Sequence, residues 1–103
     1  MRHAKAEELK ELKEWLCKVK EIEGIRERTP NHFYYKGLGI LHFHYDSGQI
    51  YADVGEERIL IGTIGNMSME AMDQTYNLIK KAAGLISLLI GVTYGITPYK
   101  SLI

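Results

Sequence analysis

The amino-acid sequence predicts a single α+β domain in which two helices pack on one face of an antiparallel sheet. A chain of 103 residues has room for one hydrophobic core. Apolar residues near both ends recur every three or four positions, whereas those in the middle alternate with polar residues. The expected order is a helix, a four-stranded β-meander and a long C-terminal helix.

An amphipathic helix is expected over residues 4–23. Its apolar stripe consists of Leu9, Leu12, Leu16 and Val19. Gly24 follows as a stop signal. Cys17 lies away from the apolar stripe on a helical projection. It is the single cysteine of the chain, which excludes a disulfide within the chain.

Four strands are expected after this helix, at residues 32–36, 39–46, 49–54 and 58–62. The links between them are short and contain glycine, which favours antiparallel neighbours. The preceding segment "EGIRERTPN" is interpreted as a polar connector, because Pro30 prevents helical continuation through Thr29.

The C-terminal region is expected to form one long helix that begins after Ser68, a good N-cap residue. Its apolar repeat comprises Met69, Met72, Tyr76, Ile79, Ala83, Ile86 and Ile90. An alternative ends the helix at Gly84 and makes residues 85–94 a buried fifth strand. Residues 82–99 carry no charge. Three glycines and Pro98 favour a buried helix or an oligomer interface there over a membrane span.

The overall charge gives little indication of a partner. Thirteen Lys and Arg residues balance thirteen Asp and Glu residues, so no global positive field attracts nucleic acid or an anionic membrane. The charged N-terminal stretch lacks the apolar core of a signal peptide. We therefore expect a cytoplasmic protein without a nucleic-acid partner or a membrane span.

The hairpin of residues 39–54 carries the residues suited to chemistry. Two apolar rows are available for the core: Leu41, Phe43 and Tyr45 on one strand, and Ile50, Ala52 and Val54 on the next. These rows share a face only if Asp46 lies opposite Gln49, because a slip of one residue turns one row over. In that register His42 faces Asp53. The reverse face then collects Ile40, His42, His44, Asp46, Gln49, Tyr51 and Asp53.

This polar face predicts a metal site made of His42, His44 and Asp46. The two histidines lie about 6.6 Å apart along a strand, close enough to lean toward one ion. Two imidazoles and a carboxylate suit zinc or iron with open coordination positions. Asp53 is either a ligand or a partner that orients His42. The candidate pocket comprises His32, His42, His44, Asp46, Tyr51 and Asp53.

Other functions fit the same residues. Alternating polar residues also serve as the solvated side of a sheet, without binding anything. A metal-free site would use Asp53 to raise the pKa of His42, which would act as a general base. The C-terminal segment is more apolar than so small a domain can cover. We therefore expect that part of it, or the sheet face that carries the histidines, is buried in a homodimer. The function is thus expected to be that of a homodimeric binding or assembly domain, or of a metal-binding domain or metal-dependent enzyme.

The run from His32 to Asp53, with "HFHYD", a glycine and "YADV", resembles the core of the small luciferase-like domains of unknown function. In that family a His-x-His-x-Asp hairpin lies between flanking helices. The resemblance covers about 25 residues. It implies the order helix, meander, helix, but it does not imply light production. It draws attention to His32, His42, His44, Asp46 and Asp53.

Overall fold

The computed structural model describes the backbone of residues 1–93 and the side chains of residues 1–89, and it confirms the α+β class. The elements in chain order are β1 (Arg2–His3), a 3-10 helix (Ala6–Leu12), α1 (Lys13–Lys20), β2 (Ile25–Thr29), β3 (His32–Tyr35), β4 (Leu38–Asp46), β5 (Gln49–Val54), β6 (Glu57–Thr63), β7 (Asn66–Met67) and α2 (Met69–Thr93).

The N-terminal helix is shorter than predicted and has two parts. Residues 2–3 form β1, so the helical region begins only after Lys5, whose backbone is extended. A 3-10 segment precedes α1, which ends at Lys20. The predicted apolar stripe is nevertheless buried as expected. Cys17 is exposed.

The four predicted strands are present as β3 to β6, but the sheet has seven strands. The interpretation of residues 25–29 as a connector was wrong, because they form the edge strand β2. Only Ile25 of β2 is buried, and charged side chains of this kind are common on edge strands, where they discourage further pairing. Pro30 and Asn31 form the turn to β3, with Asn31 at a φ of 64°.

The strand order is β2-β3-β4-β5-β6-β7, and β1 also pairs with β4. All neighbours are antiparallel. β4 has nine residues and β3 only four, so β3 pairs with the first half of β4. β1 pairs with the second half, where His3 lies opposite His44. One side of β4 therefore pairs with β3 along its first half and with β1 along its second half.

The predicted register of the central hairpin is confirmed. Asp46 pairs with Gln49 and His42 pairs with Asp53. The two apolar rows belong to the core, which also receives Leu16 from α1 and Ile79 from α2. The buried members of the rows are Leu41, Phe43, Ile50, Ala52 and Val54, and Tyr45 is partly buried. The Trp15 ring meets the Phe43 ring edge-on at 6.4 Å between centroids.

Ile40 departs from the predicted face. It was expected among the histidines, but its side chain is only 2% exposed and joins the core. The pairing of β3 with β4 shifts here, since Phe33 lies opposite Leu41 and Tyr34 opposite Gly39. Ile40 is therefore the extra residue of a β-bulge, and a bulge interrupts the strict alternation of side chains.

The long C-terminal helix is also confirmed. The Ser68 hydroxyl accepts a hydrogen bond from the Ala71 N–H at 3.1 Å, as an N-cap does. α2 continues through Gly84 to Thr93, so the alternative of a fifth strand is wrong as far as the structure describes it. Residues 94–99 of the uncharged segment lie outside the described residues. Within the part that is described, no helix has the length and hydropathy that a membrane crossing requires.

Candidate metal centre

All four histidines of the chain lie together on the sheet face opposite the core rows. We call this cluster, with Asp53, the histidine face: His3, His32, His42, His44 and Asp53. The ring centroids of His3 and His44 are 4.5 Å apart, and those of His42 and His44 are 5.2 Å apart. His32 stacks on His42 at 6.0 Å.

Strand pairing explains why these side chains meet. His42 and His44 are two positions apart on β4, so they point to the same face. His3 shares that face because it pairs with His44. Asp53 shares it because it pairs with His42. His32 precedes Phe33, which pairs with Leu41 of the core row, so His32 points to the opposite face, where the other histidines lie.

β1 is held in place by its first residue. The Arg2 guanidinium makes two contacts with the Glu8 carboxylate, at 2.6 and 2.9 Å, and lies 4.3 Å from the centroid of the Tyr45 ring. The hydrogen bond from Arg2, with that from the Lys5 backbone, lowers the pKa of Glu8 to about 2. These contacts hold His3 against β4.

The Asp53 carboxylate is the centre of the cluster. It is 7% exposed, and its Oδ2 atom lies 2.8 Å from His44 Nδ1 and 3.3 Å from His42 Nε2. Arg58 donates from Nε to Oδ1 at 2.7 Å and from its terminal nitrogen to Oδ2 at 2.9 Å. A buried charge needs such partners to be stable. Arg58 therefore fixes the carboxylate in front of the two imidazoles.

The pKa shifts of Asp53 and His42 suit metal binding. The hydrogen bonds from Arg58 lower the pKa of Asp53 below its ordinary value, so the carboxylate is ionised at neutral pH. Burial lowers the pKa of His42, and the neighbouring imidazoles add to that effect while Asp53 opposes it. A neutral imidazole with a free nitrogen and an ionised carboxylate are the forms that bind a metal.

Two of the distances between candidate ligand atoms are near those of a zinc site. One atom from each of His42, His44 and Asp53 lies within 4.8 Å of the others. Zinc bonds of about 2.0–2.1 Å at tetrahedral angles place neighbouring ligand atoms about 3.3 Å apart. The distances of 2.8 and 3.3 Å from the carboxylate oxygen to the two imidazole nitrogens are close to that spacing.

The structure brings together His32, His42, His44 and Asp53 of the predicted pocket, and Asp46 lies apart from them. Asp46 is exposed at the end of β4, where its carboxylate accepts a hydrogen bond from the Ser47 hydroxyl at 3.2 Å. It lies four residues along the strand from His42, about 13 Å away, whereas Asp53 lies directly across from His42. The geometry favours Asp53 over Asp46. The Tyr51 hydroxyl donates to Gln49 Oε1 at 2.8 Å.

Sequence reasoning missed His3 and Arg58. Nothing in the sequence distinguishes the two-residue strand that carries His3. Arg58 could have been found, since a two-residue turn at Gly55 and Glu56 places it opposite Asp53 by simple counting. The prediction instead placed the start of the next strand one residue later.

Comparisons of this chain with protein-family models, with curated proteins and with solved structures give no match. The resemblance to luciferase-like domains therefore stays a prediction, and the site is interpreted from its own geometry.

Acid is expected to destabilise the metal-free protein through the histidine face. The folded pKa of His42 lies below 6.5, so as the pH falls through 6.5 the unfolded chain binds protons that the folded protein does not. Stability is thus lost on acidification. The depressed pKa of Asp53 acts in the same direction, since its contribution is present above 3.8 and is lost as the pH falls through its folded pKa.

The measurement is the melting temperature of chelator-treated protein between about pH 5 and about pH 7.5, compared with the His42→Gln variant. Other carboxylates titrate in both proteins. The difference between the pH dependences of the two melting temperatures therefore reports the contribution of His42. We expect a shallower dependence in the variant. Identical dependences would contradict the proposed burial of His42.

Proposed function

We propose that this protein is a metal-binding domain in which His42, His44 and Asp53 hold one divalent transition metal ion, of which zinc suits the ligands best. The observation that supports this most is the position of Asp53 Oδ2, at 2.8 Å from one imidazole nitrogen and 3.3 Å from another. Nitrogen and oxygen ligands at this spacing suit zinc, and iron is the alternative with the same ligand set.

Arg58 would support the metal without binding it. Its bond to Asp53 Oδ1 can remain while Oδ2 turns to the ion, so the carboxylate keeps its orientation. Groups that orient a ligand in this way contribute strongly to metal affinity. The positive charge of Arg58 also limits affinity, because it competes with the ion for the same carboxylate.

Three protein ligands leave room for others. A metal held in this way keeps coordination positions for water or a substrate, as in catalytic rather than structural sites. His3 and His32 border these positions, because their rings lie against His44 and His42. The side chain of His42 is 38% exposed, so the site is open to solvent on this side. The proposed centre is therefore accessible to a small ligand.

Zinc titration by calorimetry tests this proposal. The wild-type protein is expected to bind one zinc ion per chain, and the double variant His42→Gln/His44→Gln is expected to lose about a hundredfold in affinity or more, because both nitrogen ligands are gone. Asp53→Asn removes the charged ligand and should also weaken binding strongly.

Asp46→Asn is the matched control, since it makes the same chemical change on the same hairpin. It is expected to leave zinc affinity unchanged. Absence of zinc binding by the wild type would contradict the metal proposal, and an effect of Asp46→Asn as large as that of Asp53→Asn would contradict the ligand assignment.

A second candidate function is self-association through α2. A groove between α2 and the β5–β6 turn has an apolar floor and a rim that carries both signs of charge. Leu85 in this groove is 53% exposed. Glu57 and Lys81 lie on the rim, and a two-fold axis would bring each opposite the other in a second copy. The floor consists of Val54, Leu78, Ala82 and Leu85.

Size-exclusion chromatography with light scattering tests this homodimer. Leu85→Glu is expected to convert the dimer to a monomer, because it places a charge in the apolar floor. Leu38→Glu is the control, since Leu38 is 54% exposed and lies in β4, outside the residues that line the groove. A wild-type monomer at high micromolar concentration, or equal effects of the two changes, would rule out this interface.

A further inference from the structure

The β2–β3 hairpin and the turn that follows β3 carry a cluster of positive charge near the histidine face. We call it the basic patch: Arg26, Arg28 and Lys36 around Tyr34. Together with Gly37 these residues line one shallow depression. The chain as a whole has no net charge, so this local excess is not a consequence of composition.

Strand pairing places Arg26 beside Tyr34, whereas Lys36 lies in the turn after β3, with its Nζ atom 5.7 Å from the centroid of the Tyr35 ring. Arg26 pairs with Tyr34, so the two side chains share a side. The pairing then shifts, because Glu27 lies opposite Phe33 and Thr29 opposite His32, which leaves Arg28 as an extra residue. The position of Arg28 on this side is shown by its guanidinium carbon, which lies 5.2 Å from the centroid of the Tyr34 ring.

Within the part of the chain that the structure describes, the cations of the patch lack acidic partners. Elsewhere in the fold Arg2, Lys20 and Arg58 form ion pairs with nearby carboxylates. Among residues 1–89, none of the three patch cations forms an ion pair. Glu27, the acid between the two arginines, pairs with Lys20 at 3.2 Å. Three neighbouring positive charges repel each other, and a bound anion would relieve that repulsion.

We infer that the basic patch binds the phosphate group of a small phosphorylated ligand. A phosphate presents several acceptor oxygens and about two negative charges, which match two guanidinium groups and one ammonium group. The planar guanidinium can donate two parallel hydrogen bonds to one phosphate. The Tyr34 ring offers a surface against which an aromatic part of the ligand could stack.

The patch lies beside the proposed metal site. His32 and Tyr34 are two positions apart on β3 and point to the same face, about 6.6 Å from each other along the strand. A ligand held by its phosphate would therefore extend toward the histidine face. The inference does not depend on the metal, because the patch shares no residue with the metal ligands.

Calorimetric titration with inorganic pyrophosphate and with ADP tests this inference. The protein is first treated with a chelator, so failure of the metal proposal does not affect the result. Arg26→Gln/Arg28→Gln is expected to weaken both probes by about tenfold or more. Lys13→Gln/Lys80→Gln removes the same charge from the two helices and is expected to change either affinity by less than about twofold.

Circular dichroism verifies that both double variants fold. Lys36→Gln, in the turn between β3 and β4, provides a second test and is expected to weaken the binding of both probes severalfold. Equal affinity for the two probes would indicate recognition of phosphate alone. Tighter binding of ADP that is lost in Tyr34→Leu would indicate an aromatic phosphate ester, and both results support the inference. No binding of either probe, or equal weakening by the two double variants, would overturn it.

Discussion

The register of β4 against β5 is the constraint on which the site depends. A slip of one residue would turn the row of Phe43 away from the helices and bring His42 and His44 into the core. Burial of the apolar rows opposes that slip, since each fully buried large side chain contributes about 1.5–3 kcal/mol. The hydrophobic effect on one face of the sheet therefore determines where the imidazoles lie on the other.

The electrostatics of the histidine face follow from that register. Asp53 lies on this face with its carboxylate nearly buried, and Arg58 lies opposite it on β6. The two charges satisfy each other, and the imidazoles of His42 and His44 lie against the same carboxylate. The basic patch differs, because within residues 1–89 none of its three cations forms an ion pair. The sheet thus carries imidazole nitrogens beside a carboxylate at one place and, among residues 1–89, cations without ion pairs at another.

Sequence patterns predicted the elements that follow from the spacing of apolar residues along the chain. The alternation of apolar and polar residues predicted the register of the central hairpin. The recurrence of apolar residues every three or four positions predicted that α2 continues through Gly84. Patterns failed where pairing between distant segments decides the structure. β1 is two residues long and exists because β4 extends past β3, β2 has one buried residue, and Ile40 turns inward at a bulge. The preference for Asp46 came from counting along one strand, whereas Asp53 is closer because it lies across the sheet.

The most direct test of this account is the anomalous difference map of a crystal grown with zinc, collected at the zinc absorption edge. The account predicts one peak per chain that is bonded to His42 Nε2, His44 Nδ1 and Asp53 Oδ2, with Arg58 still donating to Asp53. A peak at Asp46, or a structure in which His42 and His44 point to opposite surfaces of the sheet, would contradict it.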